Sequence, residues 1–391
     1  MDLKPLVFRA GLEQYRQQAA ELLDAFRAGR PEAIRCFHER HPRFLDTKIP
    51  WLPQRLSDDE IRNTPLELAD AQLAIARRYD FRDWPALVEY VAAVTPADSP
   101  VALFESAVEA VITGELTVLQ TLLREHPELV RARSTRITHF DPPQHRATLL
   151  HYVAANGVEG YRQVTTQNAV EIATTLLRAG ADVDALADLY GGQCTTMSLL
   201  VSSCHPAKAG VQAALAETLI DFGASLEPRG AGNWTSPVMS ALAFGYLDTA
   251  QTLVKRGAQV NDLAVAAGLG RLDDARRFLP SADKGSRHRA LAIAAQLGHV
   301  DIVRLLLDAG EDPNRYNPAG LHAHATPLHH AALHGHTTAV KLLVERGARL
   351  DLKDTIYQST PAGWAAHAGQ TEIETYLRSQ DANNSRGIVR R

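Results

Sequence analysis

The stretch Thr326-Pro327-Leu328-His329-His330-Ala331-Ala332-Leu333-His334-Gly335-His336-Thr337-Thr338-Ala339-Val340-Lys341-Leu342-Leu343-Val344-Glu345-Arg346-Gly347-Ala348-Arg349-Leu350 decides the fold. Its spacing predicts two short helices folded back on each other. Thr326 is placed to cap the first helix, whose opening turn tolerates Pro327 because an N–H there has no intrahelical partner to lose. Leu328, Ala331 and Ala332 form a small apolar face that lets a neighbouring helix approach closely. Gly335 suits a left-handed residue closing the first helix, Val340, Leu342 and Leu343 build a bulkier second one, and Gly347 closes that. So small a unit cannot bury its own apolar face, so copies must stack.

The Thr-Pro-Leu-His opening, the Ala-Ala pair, the Gly-His break and the Leu-Leu…Gly-Ala ending resemble an ankyrin repeat. The resemblance implies an all-α ankyrin-repeat solenoid of stacked helix-turn-helix units with short hairpin loops. The glycine between paired helices recurs at Gly114, Gly157, Gly245, Gly270, Gly298, Gly335 and Gly369. One further unit opens at Thr195 with Cys204 in place of the glycine, giving about eight units between Val101 and Leu377. Second helices recur in step, over 118–123, 169–177, 213–220, 249–254, 274–279, 302–307, 340–344 and 373–377. Where the spacing lengthens, the sequence carries inserts at Ser134–Arg146 and Arg315–Ala325 and longer internal turns at 158–167 and 205–211. Loops absorb such changes where packed helices cannot.

The first hundred residues carry a degenerate version of the same pattern. His-Pro follows Gly29 and Gly114 by the same interval, at His41-Pro42 and His126-Pro127. Around Tyr79-Asp80-Phe81-Arg82-Asp83-Trp84-Pro85, Asp80 stands where a glycine is expected. This segment resembles an N-terminal helical capping module of bacterial ankyrin-repeat proteins. The expected organisation is therefore a helical cap over 1–98, a repeat array over 99–380 and a flexible tail over 381–391.

Bulk properties narrow the function classes. With 41 Lys plus Arg against 45 Asp plus Glu, the formal charge is -4 and no basic run is long enough for a phosphate backbone, so no nucleic-acid partner is expected. Cys36, Cys194 and Cys204 are an odd set without paired metal-ligand spacing, which argues against a disulfide framework. The N-terminus has no apolar core like that of a signal peptide, and no apolar run approaches membrane-spanning length. The expectation is a cytoplasmic protein with no membrane association.

In the ankyrin family, hairpin tips and the exposed side of the first helices form a concave groove for partners. Carried onto this chain, the resemblance implies a binding surface of Phe244, Leu269, Leu297, Leu333, His334 and His367 along the groove, with Phe140, Tyr190, Trp234, Tyr316 and Tyr357 from hairpins and inserts. Aromatic groups there supply large contact areas. The expected function is a non-catalytic scaffold for a protein or peptide, with no cofactor. No Gly-x-Ser-x-Gly, Gly-Lys-Ser/Thr, His-Glu-x-x-His or dinucleotide motif occurs, so no enzyme class is indicated. The alternative is a small-molecule or metal site, or an enzyme pocket, beneath the two His-bearing inserts. His139 and His145 flank Asp141 in the first, six of 16 histidines lie between His322 and His336, and His330 and His334 are four apart on one helix. His329 and His336 hold positions that in the family bond to the scaffold, leaving His322, His324, His330 and His334 as metal candidates.

Overall fold

The computed structural model describes residues 8–227 and 236–388, with side chains described as far as Asp381. They form two compact units divided within 228–235, so the cap and the first repeats share one unit. Expected site residue Trp234 lies outside the described residues.

The repeat marks take the conformation that their sequence demands. Gly298 has φ +75°, and a Cβ there would fall against the His336 ring. At Asp80, the position read as a glycine substitute, φ is +59°. An aspartate pays the steric cost of that region less heavily than most residues, because its short side chain can bond locally.

In the second unit the first helices, Pro237–Ala243, Leu263–Gly268, Lys284–Gln296, Pro327–Leu333 and Pro361–His367, stack in sequence order. Four second helices, Leu272–Phe278, Val300–Asp308, Thr337–Glu345 and Thr371–Ile388, stack alongside in a parallel row. Small residues let the inner row close up: Ala264, Ala266, Ala292, Ala294, Ala331 and Ala332 are all buried. The last helix runs on to Ile388, so the backbone stays helical beyond residue 381, where the sequence reading places a tail.

Buried histidines tie one repeat to the next. Thr326 N–H donates to His329 Nδ1 at 3.2 Å, which puts the ring hydrogen on Nε2, 3.2 Å from the Ser359 carbonyl. His336 Nε2 donates to the Gln296 carbonyl at 2.9 Å. Both histidines therefore serve the scaffold, as the family pattern implies.

In the first unit Leu12–Arg27 and Pro31–Arg40 pair across Gly29, and Leu68–Arg78 pairs with Trp84–Val94 across Asp80. Trp84–Val94 packs on Pro100–Thr113, continuing the stack into Leu149–Val153 and Thr196–Leu200. The unmarked repeat breaks at 201–203, and its internal extension forms the short helix Cys204–Lys208. A two-stranded hairpin, Ala187–Leu189 with Gly192–Cys194, is a local addition absent from the sequence reading.

Candidate functional site

The two His-bearing inserts lie in different units and do different things. The first, 134–146, is a strap folded onto the cap rather than a roof over a groove. Arg82 N–H donates to the Ile137 carbonyl, Phe81 bridges to Thr138, and His139 Nε2 lies 3.2 Å from Asp80 Oδ1. Asp80 Oδ2 also accepts from Gly160 N–H at 2.7 Å, so the left-handed aspartate joins three segments. Phe140 is half-buried with its ring 4.5 Å from that of His139.

Beneath the strap lies a buried charge network. The Arg136 guanidinium stands over the Phe81 and Tyr90 rings at 4.2 and 4.5 Å and donates to the Tyr79 carbonyl. Its Nε is 3.0 Å from Glu159, while Arg162 bonds Glu105 at 2.5 Å and Glu109 at 3.3 Å. His145 accepts from Ala147 N–H at Nδ1, so its Nε2–H donates to Glu159 at 3.2 Å. Burial acts to raise the Glu159 carboxyl, but Arg136, His145 and Arg162 outweigh it and hold it far below the ordinary range. Burial acts to lower the Arg162 guanidinium, and Glu105, Tyr161 and Glu159 reverse that. Arg162 Nε and Glu105 Oε1 still have no hydrogen-bond partner among the described residues. The sequence signal for this network was Glu105 within an apolar helical face; its partners Arg136 and Arg162 sit in loops, where periodicity says nothing about burial.

The second insert, 315–325, gathers a surface. His322 has φ +56°, and its ring lies 4.9 Å from His330 and 6.0 Å from Phe244. His330 continues to His334 at 6.2 Å and to Trp364 at 5.3 Å. His324 joins Trp364 at 5.7 Å and Tyr357 at 6.0 Å. Residues spanning more than a hundred positions thus form one continuous patch of rings. Phe244 is 47% and Tyr357 57% exposed, while Trp364 forms a buried floor. The Asp354 carboxylate secures the Tyr357 turn through the N–H groups of Ile356, Tyr357 and Ser359 and the Trp364 indole.

His330 is the anomaly. It is only 3% exposed, yet neither ring nitrogen has a hydrogen-bond partner among the described residues. Burial, then the His322 and His334 rings, lower its pKa well below the ordinary imidazole value. Burial lowers His322, His324 and His334 as well. The patch is therefore uncharged at neutral pH. Of the four metal candidates, no three form a group able to hold a metal ion among the described residues.

The remaining expected positions are dispersed. Leu269, Leu297 and Leu333 are half-buried and His367 is exposed. Tyr316 turns its hydroxyl to the Lys353 carbonyl at 2.7 Å. In the first unit Tyr190, 60% exposed at the tip of the hairpin, donates to Asn156. Sequence reading overlooked Trp364, though Thr360-Pro361-Ala362-Gly363-Trp364 repeats the Thr326-Pro327 opening and puts the indole where that repeat has His330.

Stacked helix pairs define a helical-repeat protein, here with an exposed ring patch on its second unit. The family described as ankyrin repeats (3 copies) matches residues 291–387, and the repeats of that stretch are ankyrin repeats. Among solved structures, the crystal structure of the human ASB11 ankyrin repeat domain is similar at 21% identity, covering 69% of this chain and 95% of that one, with a TM-score of 0.36. No curated protein matches the chain. No helix among the described residues is long and apolar enough to cross a membrane.

Proposed function

We propose that the second unit is a non-catalytic recognition module that docks a protein or peptide on the Phe244–His322–His330–Tyr357 face. Ankyrin repeats generally mediate protein–protein interaction, which supports this class of function. The observation that carries the reading is the continuous patch of rings, in which Phe244 and Tyr357 stand exposed around His322 and His324 over the buried His330 and Trp364. Phe244 and Tyr357 add rigid apolar area at the edge of the patch, the composition of an interface anchor.

The test replaces Phe244 or Tyr357 by a photoreactive benzophenone side chain in cells, with exposed Trp51 as the control position. One polypeptide captured at both patch positions and absent at 51 is expected. Its affinity for the purified chain should fall roughly 30-fold on Phe244→Ala, as for an anchor worth about 2 kcal/mol. Equal capture at 51, or unchanged affinity, would refute the reading.

A further inference from the structure

The charges around the ring patch point to the chemistry of what docks there, an inference that rests on the docking function proposed above. Phe244 and Tyr357 give the patch its exposed apolar area, but its accessible polar groups are imidazoles. His334 is exposed and His324 half-buried, and neither ring has a hydrogen-bond partner among the described residues. A neutral imidazole offers one N–H donor and one acceptor nitrogen, so by themselves these rings suit an anionic and a cationic group equally.

The rim decides between the two. Arg289, half-buried on Lys284–Gln296, reaches the insert at Gly320, where an added Cβ would lie 3.7 Å from its guanidinium. Lys353 stands exposed where the Tyr357 turn meets the insert, its carbonyl accepting from the Tyr316 hydroxyl at 2.7 Å. Neither cation has an ion-pair partner among the described residues. The carboxylates beside them are already engaged: Asp354 by its turn and the Trp364 indole, Asp351 by Arg349 at 2.8 Å, and Glu311 by Arg315 at 3.8 Å. An anionic group arriving at this face therefore meets two unpaired cations and imidazole donors, whereas a cationic one meets charge of its own sign.

We propose that the segment docked on this face is an extended acidic peptide. The rings run in a row from His324 through Trp364 and His330 to His334, so carboxylate side chains along the peptide meet His324 and Lys353 at one end and His334 at the other. A carboxylate favours the protonated imidazole, so such a peptide binds with proton uptake and its affinity rises as the pH falls. A cationic peptide gives the opposite sign. The groups that modulate this are His322, His330 and His336 around the two rings, Asp354 beside His324, and, on the helices packed alongside, Arg289, His367 and Lys341, the last paired with Glu372 at 3.8 Å.

The test selects a phage-displayed library of random dodecapeptides against the full-length chain and discards the peptides that still bind Phe244→Ala. The expected survivors are enriched in Asp and Glu over the unselected library, and a synthetic survivor should bind several-fold more tightly at about pH 6 than at about pH 8. Lys353→Glu should weaken that peptide roughly tenfold, and His334→Gln should flatten its dependence on pH. Arg304→Glu, exposed on the second helix Val300–Asp308, should bind like wild type. Residues 334 and 353 are also exposed, and circular dichroism should show a wild-type fold for each variant. Survivors without acidic enrichment, or an affinity that Lys353→Glu leaves unchanged, would overturn the acidic partner while the docking face stands. A library that yields no peptide dependent on Phe244 would overturn the docking face and this inference with it.

Discussion

The first unit buries full charges and satisfies most of them: Arg136 and Arg162 lie among Glu105, Glu159 and three aromatic rings. The second buries neutral imidazoles, and at His330 it leaves one without a hydrogen-bond partner among the described residues. Both interiors are polar, but they are built for different ends. The first joins the cap, the strap 134–146 and the third helix pair through bonds that reach from Tyr79 to Arg162. A polar core that links so many segments holds them in a single arrangement. In the second, the scaffold histidines His329 and His336 are bonded between repeats, while the histidines of the patch contact one another and the surface.

The largest effect that can test this contrast is removal of a charge from the first unit. Arg162→Leu removes the nearer counter-charge of Glu105 and leaves that buried carboxylate only Arg136 at 3.7 Å, and breaking a buried pair in this way costs about 3–5 kcal/mol. Urea unfolding followed by hydrogen exchange should show the loss over 80–162. A cost below 1 kcal/mol would mean that the network contributes little to this region. Replacing 134–146 by a short glycine linker should likewise destabilise the cap.

Acid should separate the two units in the other direction. His322, His324, His329, His330 and His334 all have folded pKa values below the unfolded imidazole value of 6.5, with His329 near 4. The folded state therefore binds fewer protons than the unfolded one, and stability is full above pH 6.5 and falls as the pH drops below it. The opposing charge nearby is Asp354, which favours the charged form of His324 and His329; His322, His330 and His334 have mainly one another. Glu159, held far lower, keeps its contribution throughout this range. Hydrogen exchange between pH 7 and pH 5 should lose protection at 320–336 and 357–367 before 100–162. The reverse order would break the contrast.

The fold was legible because it repeats: each glycine mark that ends a first helix has positive φ, and Asp80 was recognisable as a substitute from its place between two apolar helices. The site was legible only in part. Phe244, Tyr357 and the four histidines were identifiable by type, but their convergence depends on the path of 315–325, which carries no periodicity. The strap was misread for the same reason. Its Arg136 and His145 look like surface residues in a polar loop, and only Glu105 and Glu159, distant in sequence, explain why they are inside.

His330→Leu should produce the smallest change in stability and the most informative one. The two side chains are close in size, and the site is nearly dry, so leucine removes a desolvated polar ring without opening a large cavity. Because neither nitrogen loses a bond, the substitution should be neutral or stabilising by up to about 1 kcal/mol at pH 7, where most core replacements destabilise. Below pH 6.5 the advantage should widen, since a leucine cannot take up the proton that opposes folding. If the variant is more stable and also loses the partner captured at Phe244, the imidazole is kept for recognition at the expense of stability. A variant destabilised by 2 kcal/mol or more would instead show that the His322–His330–Trp364 packing is a structural requirement, and the second unit would then resemble the first.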